Sequence, residues 1–145
     1  MRTLFVTCAV VAAFASMSAA LAQSANTITV VVDGLRNDQG NVRCGLYNSP
    51  VGFRETGKEF KGVVAPISGG KATCLFSDIP PGSYAVALFH AEHNETTLPT
   101  GAFGIPKLGY GFSRDAKGSF GPPSFDACAY KYTGGPSTWP VHIQY

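Results

Sequence analysis

Apolar and polar residues alternate along this chain in short bursts, each broken by glycine, proline, asparagine or aspartate. Alternation with period two puts successive side chains on opposite faces of a strand, and the turn residues mark where strands stop. Residues 27–35 (TITVVVDGL) are a β-branched run and predict the first strand. Asn37-Asp38-Gln39-Gly40 is turn chemistry, and residues 41–48 (NVRCGLYN) predict a second strand with Val42, Cys44 and Leu46 inward, so the two read as a hairpin. Residues 49–57 are polar and irregular, with one helical turn expected around Phe53. Residues 61–68 and 71–77 predict a second hairpin across Gly69-Gly70, with Ala72, Cys74 and Phe76 sharing a face.

Pro80-Pro81-Gly82 turns the chain into a strand apolar on both faces: Tyr84, Val86, Leu88 and His90 on one, Ala85, Ala87 and Phe89 on the other. A strand covered on both sides is central. Residues 125–133 and 138–145 alternate well enough to close the sheet. Seven short strands and no helix-period segment predict an all-β fold, a single seven-stranded antiparallel β-sandwich of transthyretin-like or immunoglobulin-like form. Between its central strand and its last two strands runs a long segment, 91–124, rich in glycine, proline and aromatic residues. Connections of that length in a compact domain are functional or disordered. Phe103, Ile105, Leu108, Tyr110, Phe112 and Phe120 carry enough apolar surface to pin it down.

Several stretches of this region resemble a known family. They are Gly82-Ser83-Tyr84-Ala85-Val86-Ala87, Phe89-His90, Gly104-Ile105-Pro106, Gly109-Tyr110-Gly111-Phe112-Ser113 and Phe120-Gly121-Pro122-Pro123-Ser124-Phe125-Asp126-Ala127. Together they are similar to the bacterial family catalogued as domain of unknown function 2141. The resemblance is dense over 82–127 and loose before it. It implies an exported small β-sandwich and leaves the biochemical role open. In that family the histidine is usually followed by an acidic, asparagine- and glycine-rich run like a calcium loop. Here the run keeps only two carboxylates, Glu92 and Glu95. Calcium takes six to eight oxygens, so little of a calcium site is left.

The first 22 residues follow a secretory pattern: Arg2, an apolar run over 4–15, and Ala20-Leu21-Ala22 as a small-x-small cleavage site. The apolar run is too short for a membrane span. A signal peptide over 1–22 and one domain over 23–145 are therefore expected, in the periplasm or secreted. Arg2 is the one charged residue of the leader, so its loss lowers the formal charge from +2 to +1. That balance gives no basis for capturing nucleic acid. Cys8 lies within the apolar run, so it implies no lipid anchor.

Three cysteines follow the leader, and exported compartments oxidise thiols. Cys44 and Cys74 are both expected inward on strands of one sandwich, which predicts a bridge between them and a free Cys128. His90, Glu92, His93 and Glu95 form the cluster with metal-ligand chemistry, since zinc or copper accepts imidazole with carboxylate. The spacing supplies no third histidine or cysteine beside them. No cofactor is expected apart from the ion this cluster could hold. No nucleophile, base and oxyanion set can be assembled, and no nucleophile elbow or dinucleotide loop is present, which weighs against an enzyme. The leading expectation is a binding or accessory module for an unidentified small molecule or envelope component. Its site is placed where the central strand meets the long loop, around His90, His93, Tyr110, Phe112 and Phe120. A metal-dependent protein or enzyme using the His90/His93 region, and a purely structural envelope domain, are the alternatives.

Overall fold

The alternation of the first half of the chain becomes five strands: β1 (Ile28–Asp33), β2 (Asn41–Tyr47), β3 (Lys61–Ser68), β4 (Lys71–Phe76) and β5 (Gly82–Ala91). Three shorter ones follow, β6 (Tyr110–Phe112), β7 (Tyr130–Tyr132) and β8 (Ser137–His142), with one helical turn, α1 (Phe125–Cys128), before β7. The computed structural model describes residues 25–145, and the expected leader over 1–22 lies outside the described residues.

The chain is all-β, but the expected seven-stranded antiparallel sandwich is replaced by eight strands in one mixed, nearly barrel-shaped sheet. The order is β6-β5-β2-β3-β4-β1-β8, with β7 beside the start of β5. Three contacts cause the difference. First, β3 pairs with β2 as far as Pro66 and with β4 from Ile67 onward, so one strand bends from one side of the molecule to the other. Proline, which cannot donate to a ladder, sits at that switch. Second, β8 runs parallel to β1, from Ile28 opposite Ser137 to Asp33 opposite His142. Third, Tyr110 in β6 and Gln144 after β8 exchange two backbone hydrogen bonds of 2.8 Å, which joins the two ends of the sheet.

That closure explains the Gly109-Tyr110-Gly111-Phe112 motif. Gly109 and Gly111 face inward, where the tail of the chain crosses. A Cβ on Gly109 would lie 2.4 Å from the Tyr145 ring, and one on Gly111 would lie 2.6 Å from Val141 Cγ1. Only hydrogen fits between strands this close, and the alternation then sends Tyr110 and Phe112 outward.

Inside, the parity is the one the sequence predicts. Ile28, Val30 and Val32 meet Val42, Cys44 and Leu46, then Ala72, Cys74 and Phe76, then Tyr84, Val86 and Leu88, with Trp139 and Val141 closing the core. Each large side chain fully buried there contributes about 1.5–3 kcal/mol. Cys44 and Cys74 face each other across this interior with sulfurs at bonding distance and Cα atoms 6.7 Å apart. The expected first hairpin does not form, because β1 pairs with β4 and β8 while β2 pairs with β3 and β5. The Asp38 carboxylate in the β1–β2 connection instead accepts from Gly69 and Gly70 N–H in the β3–β4 turn at 2.8 Å each.

A second, smaller cluster lies on the outer face of β5: Tyr47, Phe53, Ala85, Phe125 and Cys128. Part of the expected strand over 125–133 is helical instead. Ser124 caps the turn by accepting from Ala127 N–H at 3.2 Å. A three-residue step then aims both Phe125 and Cys128 at the sheet. Buried Ser113 fixes this layer, accepting from Val86 N–H at 2.8 Å and donating to the Cys128 carbonyl at 2.6 Å. Cys128 itself is unpaired and buried. No helix among the described residues is long and apolar enough to cross a membrane.

Candidate functional site

The second cluster covers only one end of the outer face of β3, β2, β5 and β6. The rest of that face is the floor of a groove of about 850 Å³. Register dictates what the floor is made of. One lateral row runs Val64, Arg43, Phe89, Tyr110, and the next runs Gly62, Gly45, Ala87, Phe112. Three adjacent positions of the second row therefore carry a methyl group or less; the Tyr47 ring lies over Gly45, where a Cβ would stand 2.8 Å from it, while Gly62 is left open. Glycine inside a strand weakens it and marks a close approach by another group.

Loops make the walls. The end of β2 contributes Tyr47, the loop after it Arg54 and Glu59, and two parts of the long 91–124 segment contribute the others, around Phe103–Pro106 and Lys117–Pro123. Phe112 packs on Phe53 with ring centroids 6.3 Å apart, and Tyr110 packs on Phe112 at 6.0 Å, so the floor is continuous with the second cluster. Phe103 and Phe120 stand at the mouth, fully exposed at 100% and 106%. Phe103 holds a left-handed backbone (φ 59°), which a bulky residue adopts only at a cost.

Of the residues singled out from the sequence, Tyr110, Phe112 and Phe120 line this groove. His90 lies elsewhere: its parity matches Val86 and Leu88, and it is fully buried at the end of the barrel. Its Nε2 donates to the Gln39 carbonyl at 2.7 Å, and its Nδ1 accepts from the Tyr145 hydroxyl at 2.7 Å. Both ring nitrogens are thus engaged. Glu92, 4.0 Å from His90, is engaged too. It accepts from Arg36 Nε at 2.7 Å, Arg36 Nη2 at 2.5 Å and Asn37 Nδ2 at 2.8 Å. The hydrogen bond from Arg36 holds its carboxyl down at about 2, against the opposing effect of burial. The Arg36 guanidinium also lies over the Tyr145 ring, 4.6 Å from its centroid.

His93 and Glu95 form a separate pair at 3.3 Å, with the His93 side chain on the surface. The four residues of the expected metal cluster are therefore divided between an interior pair and a surface pair. Among the described residues, no group of three or more histidine, cysteine, aspartate or glutamate side chains converges as a metal site. Cys128, buried beside α1, has its thiol pushed up to about 11 by burial, so little thiolate forms at neutral pH.

Sequence reasoning missed the floor residues Arg43, Gly45, Gly62, Ala87 and Phe89. The signal was present: Arg43 and Gly45 alternate with inward Val42, Cys44 and Leu46, so they must face out. Which strands lie beside them could not be read from β2 alone.

These features define an all-β protein with a loop-walled groove on the outer face of a nearly closed sheet. The chain belongs to the bacterial family described as "Uncharacterized protein conserved in bacteria (DUF2141)", whose profile matches residues 30–139. No curated protein matches the chain, and no solved structure does.

Proposed function

We propose that this is an exported binding module that takes a small molecule into the groove over Gly62, Gly45 and Ala87. The observation that carries this reading is a concavity of about 850 Å³, floored by a row of small residues with Gly62 open and walled by a long aromatic loop. Small-molecule sites are concavities of about 300–1,000 Å³, mostly apolar, with a few placed polar groups. A loop of this length is costly to order, at roughly 1–2 kcal/mol per residue of backbone entropy, and short turns would join the same strands with less loss. Phe103 and Phe120 add exposed apolar surface that contributes nothing to the fold but would be covered by a ligand. Export is supported by the secretory pattern of the first 22 residues and by the facing Cys44 and Cys74 sulfurs.

A thermal-shift screen of small molecules on the protein and on Gly62→Val tests this. A Cβ at residue 62 meets nothing closer than a Glu59 carboxylate oxygen at 3.5 Å, so valine fills the groove without disturbing the core. A ligand that binds the native state alone raises the melting temperature, by an amount that grows with ligand concentration relative to Kd. The expected result is a compound that stabilises the protein and has no effect on Gly62→Val. Compounds that stabilise both proteins equally would refute the groove as the site.

A further inference from the structure

We propose that the groove's ligand is a small planar anion, an aromatic carboxylate in its simplest form, anchored by Arg43. This rests on the groove being the binding site and adds the chemistry of what enters it.

Arg43 projects from the floor between Val64 and Phe89. Its Nε is buried with no hydrogen-bond partner. Native proteins pair nearly all buried polar groups, so an exception asks for an explanation. The other arginine on a polar network shows the contrast. Arg36 makes a two-pronged contact with Glu92 at 2.7 and 2.5 Å. Arg43 has no such carboxylate: the described residues place no acidic group within ion-pair distance of it. A guanidinium offers a rigid fork of donors that fits a carboxylate with two parallel hydrogen bonds. Arg43 lines the groove and its side chain makes no hydrogen bond among the described residues, so its two terminal nitrogens, unlike the buried Nε, are the donors open to a carboxylate there.

The surrounding charge has the same sign. Arg54 and Lys117 also line the groove, against one carboxylate, Glu59. Glu59 is already occupied, accepting from Gly57 N–H at 2.7 Å. A cleft lined by an excess of one charge concentrates ligands of the other. The rest of the ligand is set by the walls. Phe89 stands beside Arg43, Tyr110 and Phe112 follow on the next strand, and the open Gly62 leaves room for a flat body to lie against the sheet. Aromatic walls favour planar ligands by offset or edge-on ring contacts.

The test uses 2-naphthoate and its uncharged analogue 2-naphthylmethanol, titrated calorimetrically at pH 7 into a protein of residues 23–145 and into its Arg43→Gln and Gly62→Val variants, with folding checked by circular dichroism. The expected result is that 2-naphthoate binds about 10-fold or more tightly than the alcohol, as a charge-assisted fork predicts. Arg43→Gln should remove that preference and leave the alcohol within about 2-fold of its affinity for the unmodified protein, while Gly62→Val weakens both probes. Arg43→Lys, which keeps the charge and loses the fork, serves where Arg43→Gln does not fold, and should weaken 2-naphthoate about 3-fold or more. Equal affinity for the two probes, both blocked by Gly62→Val, would overturn the anion and leave the groove standing. Binding of 2-naphthoate that ignores both Gly62→Val and the Arg43 variants would overturn the site as well. Absence of binding by either probe would overturn the planar-anion proposal.

Discussion

Glu92→Gln perturbs the polar network that closes one end of the barrel, and its effect can be worked out from the geometry. Glu92 is 8% exposed, and its carboxylate accepts three hydrogen bonds, two from Arg36 and one from Asn37. The bond from Arg36 is the main cause that lowers its carboxyl from 4.5 to about 2. Taken at face value, at 1.36 kcal/mol per pH unit, that shift is worth about 3 kcal/mol. The Arg36 side chain is 52% exposed, so solvent screening reduces the figure to about 1–2 kcal/mol. The sign follows from linkage: a carboxyl depressed in the folded state stabilises fully above its unfolded value, and the stabilisation fades as pH falls toward the folded value. Glu92→Gln should therefore be about 1–2 kcal/mol less stable than the unmodified protein at neutral pH. The gap should narrow below the unfolded value of 4.5 and close near 2. Urea unfolding of both proteins across this range measures the gap directly, and carboxylates common to both, such as Asp38 and Glu95, cancel. A gap that stays constant from neutral pH to the acid end would refute the assignment of the stabilisation to ionised Glu92.

Three further predictions follow from the core and the closure. Ser113→Ala leaves Val86 N–H and the Cys128 carbonyl without their buried partner, and should lower stability by about 1–3 kcal/mol in denaturant unfolding; an unchanged midpoint would contradict it. Gly111→Ala places a methyl 2.6 Å from Val141 Cγ1 and 3.2 Å from the His142 carbonyl, and should cost about 1–3 kcal/mol by overpacking where β6 meets the tail; an alanine variant as stable as the parent would mean that the ends of the sheet do not meet there. In a protein of residues 23–145, no thiol should react with a maleimide in the native state, one (Cys128) should react after denaturation without reductant, and reduction should free Cys44 and Cys74 and cost about 3–4 kcal/mol.

The alternation of apolar residues was enough to place the first five strands and to put Cys44 opposite Cys74, because parity within a strand is a local property. It also decides matters that were not drawn from it. His90 shares parity with Val86 and Leu88, so it enters the interior, while Arg43 takes the parity opposite to Val42 and Cys44 and enters the groove. Closure of the sheet was not legible. It depends on a three-residue strand, Tyr110–Phe112, meeting a residue 34 positions later, Gln144, and no local pattern announces such a pairing. The helical turn at Phe125–Cys128 was legible in principle. Ser124 followed by Asp126 is an N-terminal capping signal, but Phe125, Ala127 and Ala129 also alternate, and over four residues the two periods cannot be told apart.

The central claim is that ligands enter the groove on the outer face of β2, β3, β5 and β6. The most direct measurement is a titration of isotopically labelled protein, residues 23–145, with the best compound of the thermal-shift screen, following backbone amides by two-dimensional NMR. The account predicts that the largest shifts fall on Arg43, Gly45, Gly62, Ala87, Phe89 and Tyr110, the outward positions of two lateral rows on four strands. Shifts concentrated instead on His90, Glu92, His93 and Glu95, with the groove amides unmoved, would contradict it and move the site to the end of the barrel.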